Sequence, residues 1–326
     1  MSSTDSTHTG PSYAETFGPV FWGFCVSLIL CGVTMLQGYL YFTRYNDKLP
    51  VKMLAVMMLT LDFLSMALIS QSMYYYMLPY YGSFAPLSAV THELNVECLI
   101  SAIITFTSQM YFVYQLHMVK RPGVLATVMN SLVVVFGTVG LAGASGCVAL
   151  MFQYPHAIFM NRNHTFAILA GIAKGFSAAA DIIATVAMCM FLKSADTGIT
   201  RTSSLLKSLM HLVINRGLLV TTAQILLLIT FFASAGHLYW LAVHINTTKL
   251  YVNTFFAMLN ARTSLQEKYA TGHMTLESSR RSAVLGSLHV HDRKVGELDD
   301  AHAHAHAEYP LDAIRVTTTT STVADI

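Results

Sequence analysis

The chain has 326 residues, of which 54% are hydrophobic and only 11% charged, with a formal net charge of +2 and a positive mean hydropathy. Soluble domains carry roughly 25% charged residues, so the composition excludes an ordinary soluble domain and indicates a polytopic membrane protein. The basic residues are spread over connections and tail without forming a basic block, which leaves no footprint for nucleic acid.

Residues 1–17 are rich in Ser and Thr, contain no Lys or Arg, and lack the basic start and cleavage site of a secretory signal peptide. They are expected to form a retained, disordered outer tail. Seven apolar stretches follow, at 18–42, 52–77, 94–118, 124–150, 166–192, 208–234 and 238–259. Each is long enough for the roughly 30 Å hydrocarbon layer that about 20 helical residues cross. The expected fold class is all-α, a seven-helix transmembrane bundle over 18–262, in an integral multi-pass protein of the plasma membrane or an endomembrane. Every proline (Pro11, Pro19, Pro50, Pro79, Pro86, Pro122, Pro155, Pro310) falls in a tail, a connection or an expected helix end, with Pro19 at the start of the first helix. No span is broken by proline, which removes the commonest sequence cause of the discontinuous helices that build transporter midplane sites.

The first, third and fifth connections carry Arg44, Lys48, Lys52, Lys120, Arg121, Lys193, Arg201 and Lys207, whereas the even connections and the N-terminal tail carry only Arg162. This asymmetry puts the N-terminus outside or in a lumen and the C-terminus in the cytosol. Asn163-His164-Thr165 is a glycosylation sequon in the fourth connection, which the charges independently place outside. A second sequon, Asn246-Thr247-Thr248, lies at membrane depth and is expected to stay unmodified.

Gly137, Gly140, Gly143 and Gly146 in the fourth span, with Gly171 and Gly175 in the fifth, predict close packing of these two helices. Tyr39, Tyr41 and Tyr45 at one end of the bundle, and Tyr74, Tyr75, Tyr76, Tyr80 and Tyr81 at the other, read as interfacial aromatic belts. The five cysteines (Cys25, Cys31, Cys98, Cys147, Cys189) sit in apolar segments without a thiolate-metal spacing and read as small buried residues. From 263 to 326 the hydropathy collapses into an expected disordered cytosolic tail. His302, His304 and His306 in AHAHAHA give it a weak metal-binding tract, best read as low complexity, so no metal and no other cofactor is expected.

Six formal charges fall inside the expected spans: Asp62, Glu97, Lys174, Asp181, Arg216 and Lys249. Isolated ions at mid-bilayer cost at least about 2.5 kcal/mol each, so three acids and three bases point to pairing within the bundle or to a functional interior. Polar stripes run along the third helix (Glu97, Ser101, Thr105, Ser108, Gln115), the fifth (Lys174, Ser177, Asp181, Thr185) and the sixth (His211, Asn215, Thr222). On the seventh, Lys249 shares a face with Asn246, Asn253 and Asn260, so this face must meet protein or water. Asp181 is the expected partner of Lys249, with Glu97 the alternative. A hydrolase would need metal ligands, for which His211, His237 and His244 are the only plausible set, and core histidines are the simpler reading.

The segments QGYLYFTRYND (37–47), TGITRTSSLLKSLMHLVINRGLL (197–219, downstream of Asp181) and KLYVNTFFAMLNAR (249–262) give the chain a resemblance to seven-helix membrane proteins of mushroom-forming fungi, grouped as domain of unknown function 6534. The likeness covers about 18–262 and is most specific over 181–262. It implies the fold and a fungal membrane setting and carries over no catalytic residue. Lys249, Asn253 and Asn260 match the family motif, while Arg216 stands where that pattern has a small polar residue.

The leading functional reading is a receptor-like or sensor-like protein. Its hypothetical binding residues are Lys249, Asp181, Glu97, Asn253, Asn246, Lys174, Arg216 and Asp62. The expected partners are the lipid bilayer, a small-molecule ligand and a cytosolic protein bound through 193–208 or the C-terminal tail. A transporter or channel for a small solute or proton is the alternative, and a membrane-embedded enzyme ranks third.

Overall fold

The computed structural model describes residues 13–79, 81, 83, 89–119, 124–156, 164–194, 200–233 and 237–261. Most of the expected N-terminal tail, the whole C-terminal tail with His302, His304 and His306, the Asn163 sequon, Lys120, Arg121, Arg162 and the centre of the 193–208 connection lie outside the described residues. The described chain is all-helical: α1 (Tyr13–Arg44), α2 (Leu49–Met77), α3 (His92–Val119), α4 (Val124–Gln153), α5 (His164–Ser194), α6 (Thr200–Ala233) and α7 (239–261). The helices run a few residues past the apolar stretches because polar first and last turns continue the same backbone ladder. Pro50 occupies the first turn of α2, where its missing N–H is unneeded. Pro19 is a correction: α1 starts at Tyr13 and Pro19 lies inside it. The apolar stretch begins near Pro19, but helix continuity does not depend on hydropathy.

Six helices, α1 to α6, are long and apolar enough to cross a membrane. They turn apolar side chains outward, as Trp22, Ile29 and Leu36 do at seven-residue steps along α1 with 60–68% exposure. The charged groups lie inside, with Asp62, Glu97 and Lys249 fully buried. An apolar exterior around a polar interior suits hydrocarbon surroundings. Hydroxyls that remain on the outside are satisfied within their own helix, as Thr138 bonds Val134 O (2.7 Å) and Ser145 bonds Leu141 O (2.9 Å). The seventh helix differs because it has no outward face, and from 240 to 261 no residue is exposed. Surrounded by protein, it tolerates the Asn, Thr and Lys residues that dilute its hydropathy.

The stripe on α7 is a fastener. Asn246, Asn253 and Asn260 donate to the backbone carbonyls of Gly23, Leu30 and Gln37, each at 2.9 Å. Both sets step by seven residues in the same direction, so α1 and α7 are parallel with the shallow left-handed crossing that a heptad repeat produces. Gly23 permits the approach, since a Cβ there would sit 2.9 Å from Ala242 Cα. Interhelical hydrogen bonds in membranes contribute about 0.6 kcal/mol each, so the three together hold the pair by about 2 kcal/mol.

The close packing of α4 and α5 is present, but its contacts differ from those expected. Cβ atoms on Gly140 and Gly143 would lie 2.7 Å from Ser177 Oγ and 3.0 Å from Ala173 N, so α4 offers glycines to an α5 face of Ala173 and Ser177. Gly175 meets nothing within 4 Å and Gly171 faces Phe232, so the GxxxG of α5 does not make this contact. Spacing identified the pair of helices without fixing their rotation. The tyrosine belts are also corrected in part. Tyr39, Tyr74, Tyr75 and Tyr81 are exposed, whereas Tyr41 and Tyr76 are buried. Tyr41 donates to Asp47 (3.0 Å), Tyr45 to Asn260 O, and the Tyr76 hydroxyl accepts from Thr91 N (3.0 Å), so these three tie connections to helices. Tyr80 lies outside the described residues.

Candidate functional site

Three polar centres line the interior, all built around α7. The first is Lys249, whose ammonium donates to Asp62 Oδ1 (2.9 Å) and to the Asp62 backbone carbonyl (2.8 Å), with both side chains sealed from solvent. This overturns the expected pairing with Asp181 or Glu97. The signal for Asp62 was present in α2, where Asp62, Ser65 and Ser72 share one face at offsets of three and ten, all buried. A single acid among methionines and leucines hides such a stripe. With its ammonium held twice, Lys249 has no free amine to offer a ligand.

The second centre joins α3 to α2 and α7. Glu97 accepts from Ser65 Oγ at Oε1 (3.1 Å) and faces His244 Nε2 at Oε2 (3.1 Å). Cys98 Sγ approaches the same His244 nitrogen at 3.7 Å. One donor atom from each of Glu97, Cys98 and His244 lies within 4.8 Å of the others. His244 was expected to be a core histidine, and it is buried. His211 and His237 do not join it. His211 pairs with Asn215 on the outside of α6 (3.2 Å), and His237 stacks on Tyr239. Ser101 and Thr248 bond one another at 2.7 Å one turn deeper.

The third centre lies towards the other end of the bundle. Tyr251 donates to Asp181 Oδ2 (2.5 Å) and its hydroxyl accepts from Gln224 (2.8 Å). Arg216 reaches Ser108 Oγ (2.7 Å), lies 3.5 Å over the Phe112 ring, and is within electrostatic reach of Asp181. The contribution of α6 is therefore Arg216 and Gln224. The expected stripe of His211, Asn215 and Thr222 faces outward, because its apolar intervals match a lipid face as well as an interior one. Asn246 and Asn253 are occupied with α1, as described above.

Lys174 is the exception. Of the six charges Asp62, Glu97, Lys174, Asp181, Arg216 and Lys249, it is the one whose side chain makes no ion pair or hydrogen bond, with Glu97 within electrostatic reach only. It lines a cavity of about 80 Å³ between α3, α4, α5, α6 and α7, with Cys98, Cys147, Phe166, Phe231, Trp240 and His244 on its walls. On the scale that one water needs about 10–15 Å³, this is room for about six water-sized groups. The walls are apolar apart from the ammonium, the imidazole and two thiols. A site of this kind suits a compact apolar molecule with one group that answers a cation. The sequence puts Lys174 on a polar stripe of the fifth helix but could not show it unpaired, since pairing depends on how five helices are rotated.

No curated protein and no solved structure matches the chain. Residues 177–264, which span most of α5, all of α6 and all of α7 and thus carry Asp181, Arg216, His244, Lys249 and Tyr251, match the model of a family of unknown function, DUF6534.

Proposed function

We propose that the chain crosses the membrane seven times, N-terminus outside, and acts as a receptor or sensor for a small apolar carboxylate bound in the Lys174 cavity. The observation that carries this reading is the unpaired Lys174 ammonium on an apolar wall. An unpaired charge at membrane depth costs at least about 2.5 kcal/mol, and Asp62, Glu97, Asp181, Arg216 and Lys249 avoid that cost through a partner or hydrogen bond. A carboxylate would supply the missing counter-charge while its apolar body fills the space between Phe231, Trp240 and Phe166. The cavity sits among the ends of α4 and α6 and the starts of α5 and α7, the half of the bundle that holds the start of α1. In the proposed orientation that is the outer half. Lys249–Asp62 and the Asn ladder hold α7 against α1 and α2, while the cavity lies on its opposite flank, so α7 is the element a ligand would bias.

The test is Lys174→Met with unfolding followed in detergent, with and without benzoate or 4-methylpentanoate. Removing this half-buried charge, which has no ion pair, should raise the stability of the ligand-free protein by about 1–3 kcal/mol while abolishing stabilisation by the acids. Loss of stability in the ligand-free variant would make Lys174 structural and sink the proposal. Transport is the second reading, favoured by a second, narrow space that shares the Lys174 wall with the cavity and is also lined by Ser177, Thr105 and Gln109. Acid-dependent uptake or current in vesicles of the pure protein would support it over sensing.

A further inference from the structure

We propose that Glu97, Cys98 and His244 form a binding site for a borderline divalent cation of the Zn²⁺ type, with its open position facing the Lys174 cavity. The inference rests on geometry alone and stands whether or not the cavity binds a carboxylate. His244 Nε2 lies within reach of two possible ligand atoms at once, Glu97 Oε2 at 3.1 Å and Cys98 Sγ at 3.7 Å. A cation placed between the three would engage all of them.

The edge lengths agree. With Zn–N and Zn–O of about 2.1 Å and Zn–S of about 2.3 Å, a tetrahedral site has N···O and N···S separations of about 3.4 and about 3.6 Å. The observed 3.1 and 3.7 Å fall close to both. All three donors already lie within 4.8 Å, so the remaining sulfur to oxygen edge closes with a side-chain adjustment of about 1 Å.

The charge also balances. Binding releases the Cys98 thiol proton, and the thiolate, the Glu97 carboxylate and a neutral imidazole bring two negative charges to the dication, with the Lys174 ammonium across the same cavity. Ser65 holds Glu97 Oε1 at 3.1 Å and leaves Oε2 directed at the site, the kind of outer bond that orients a ligating carboxylate. Cys98 and His244 both line the cavity, so the fourth coordination position opens into it. Three protein ligands and an exchangeable fourth are the arrangement of a working zinc centre rather than a closed structural one. The ligands come from sequence positions 97, 98 and 244, so no spacing motif announces them.

The experiment uses the full chain, stripped with chelator and titrated with Co²⁺, read by the thiolate-to-Co²⁺ charge-transfer absorption. The histidines of the tail cannot produce this band, because all five cysteines, at 25, 31, 98, 147 and 189, lie in the helices. The expected result is a band saturating at one ion per chain and displaced by Zn²⁺. Cys98→Ser should abolish it, Ser65→Ala should weaken binding about ten-fold, and Cys147→Ser should leave it unchanged. Absence of the band in the wild-type chain, or a band that survives Cys98→Ser, would overturn the proposal. So would loss in Cys147→Ser with retention in Cys98→Ser. Both serine changes are near-isosteric, and a monodisperse elution profile establishes that each variant is folded.

Discussion

Lys249 and Asp62 form a buried pair whose energy can be worked out from its contacts. The ammonium supplies one hydrogen bond to the carboxylate at 2.9 Å and one to the backbone carbonyl of the same residue at 2.8 Å. Lys249→Met strands the Asp62 carboxylate, whose nearby Thr34 hydroxyl is turned onto Leu30 O at 3.1 Å. Removing one partner of a buried pair costs about 3–5 kcal/mol. Asp62→Asn is milder, since an amide oxygen and the backbone carbonyl still accept from the ammonium, and the loss of charge assistance costs about 2 kcal/mol. The double variant carries no stranded charge and should fall short of the sum of the single losses by about 2 kcal/mol, within the range for residues in contact. Reversible unfolding in mixed micelles measures all four corners of this cycle. Additivity within about 0.5 kcal/mol would refute the pairing, as would coupling of Lys249→Met to Asp181→Asn in its place.

Three further outcomes follow from the packing, the third polar centre and the charge pattern. Gly140→Ala should destabilise the bundle by about 1–3 kcal/mol, because its Cβ would press Ser177 Oγ at 2.7 Å and Ala173 O at 3.2 Å, whereas Gly175→Ala, with open space around it, should be neutral or stabilising by up to about 1 kcal/mol in thermal unfolding. Tyr251→Phe should cost about 1–3 kcal/mol by the same assay, since Asp181 Oδ2 and Gln224 Nε2 both lose the hydroxyl between them. Expressed in a eukaryotic host, the chain should lose a glycan-sized mass on Asn163→Gln and keep a protease-sensitive C-terminus on the cytosolic side, and a cytosolic N-terminal tag would reverse the proposed topology.

The helices were legible because hydropathy over about 20 residues integrates many side chains, so the third apolar stretch at 94–118 reappears as His92–Val119. The third helix's polar stripe was legible too, and Glu97, Ser101 and Ser108 all find partners on it. Pairing was not legible. Asp62, Glu97 and Asp181 are each one acid on a polar face, and only the rotation and depth of neighbouring helices assign Asp62 to Lys249, His244 to Glu97 and Tyr251 to Asp181. Periodicity gives a face without naming what it meets. The Asn246, Asn253 and Asn260 stripe shows the same limit, for it read as a polar lining while its amides were reaching backbone carbonyls of α1. A backbone acceptor is available on any helix and leaves no trace in the partner's side chains. Lys174 is the complementary case, since a missing partner becomes visible only once every neighbour is in place.

Whether the Lys174 cavity holds an acidic apolar molecule can be read by native mass spectrometry of the protein released from detergent. The wild-type chain should carry a bound carboxylate, acquired on expression or added as benzoate, and Lys174→Met should carry none while remaining folded. Equal occupancy in both, or retention of neutral amides in place of acids, would contradict the claim.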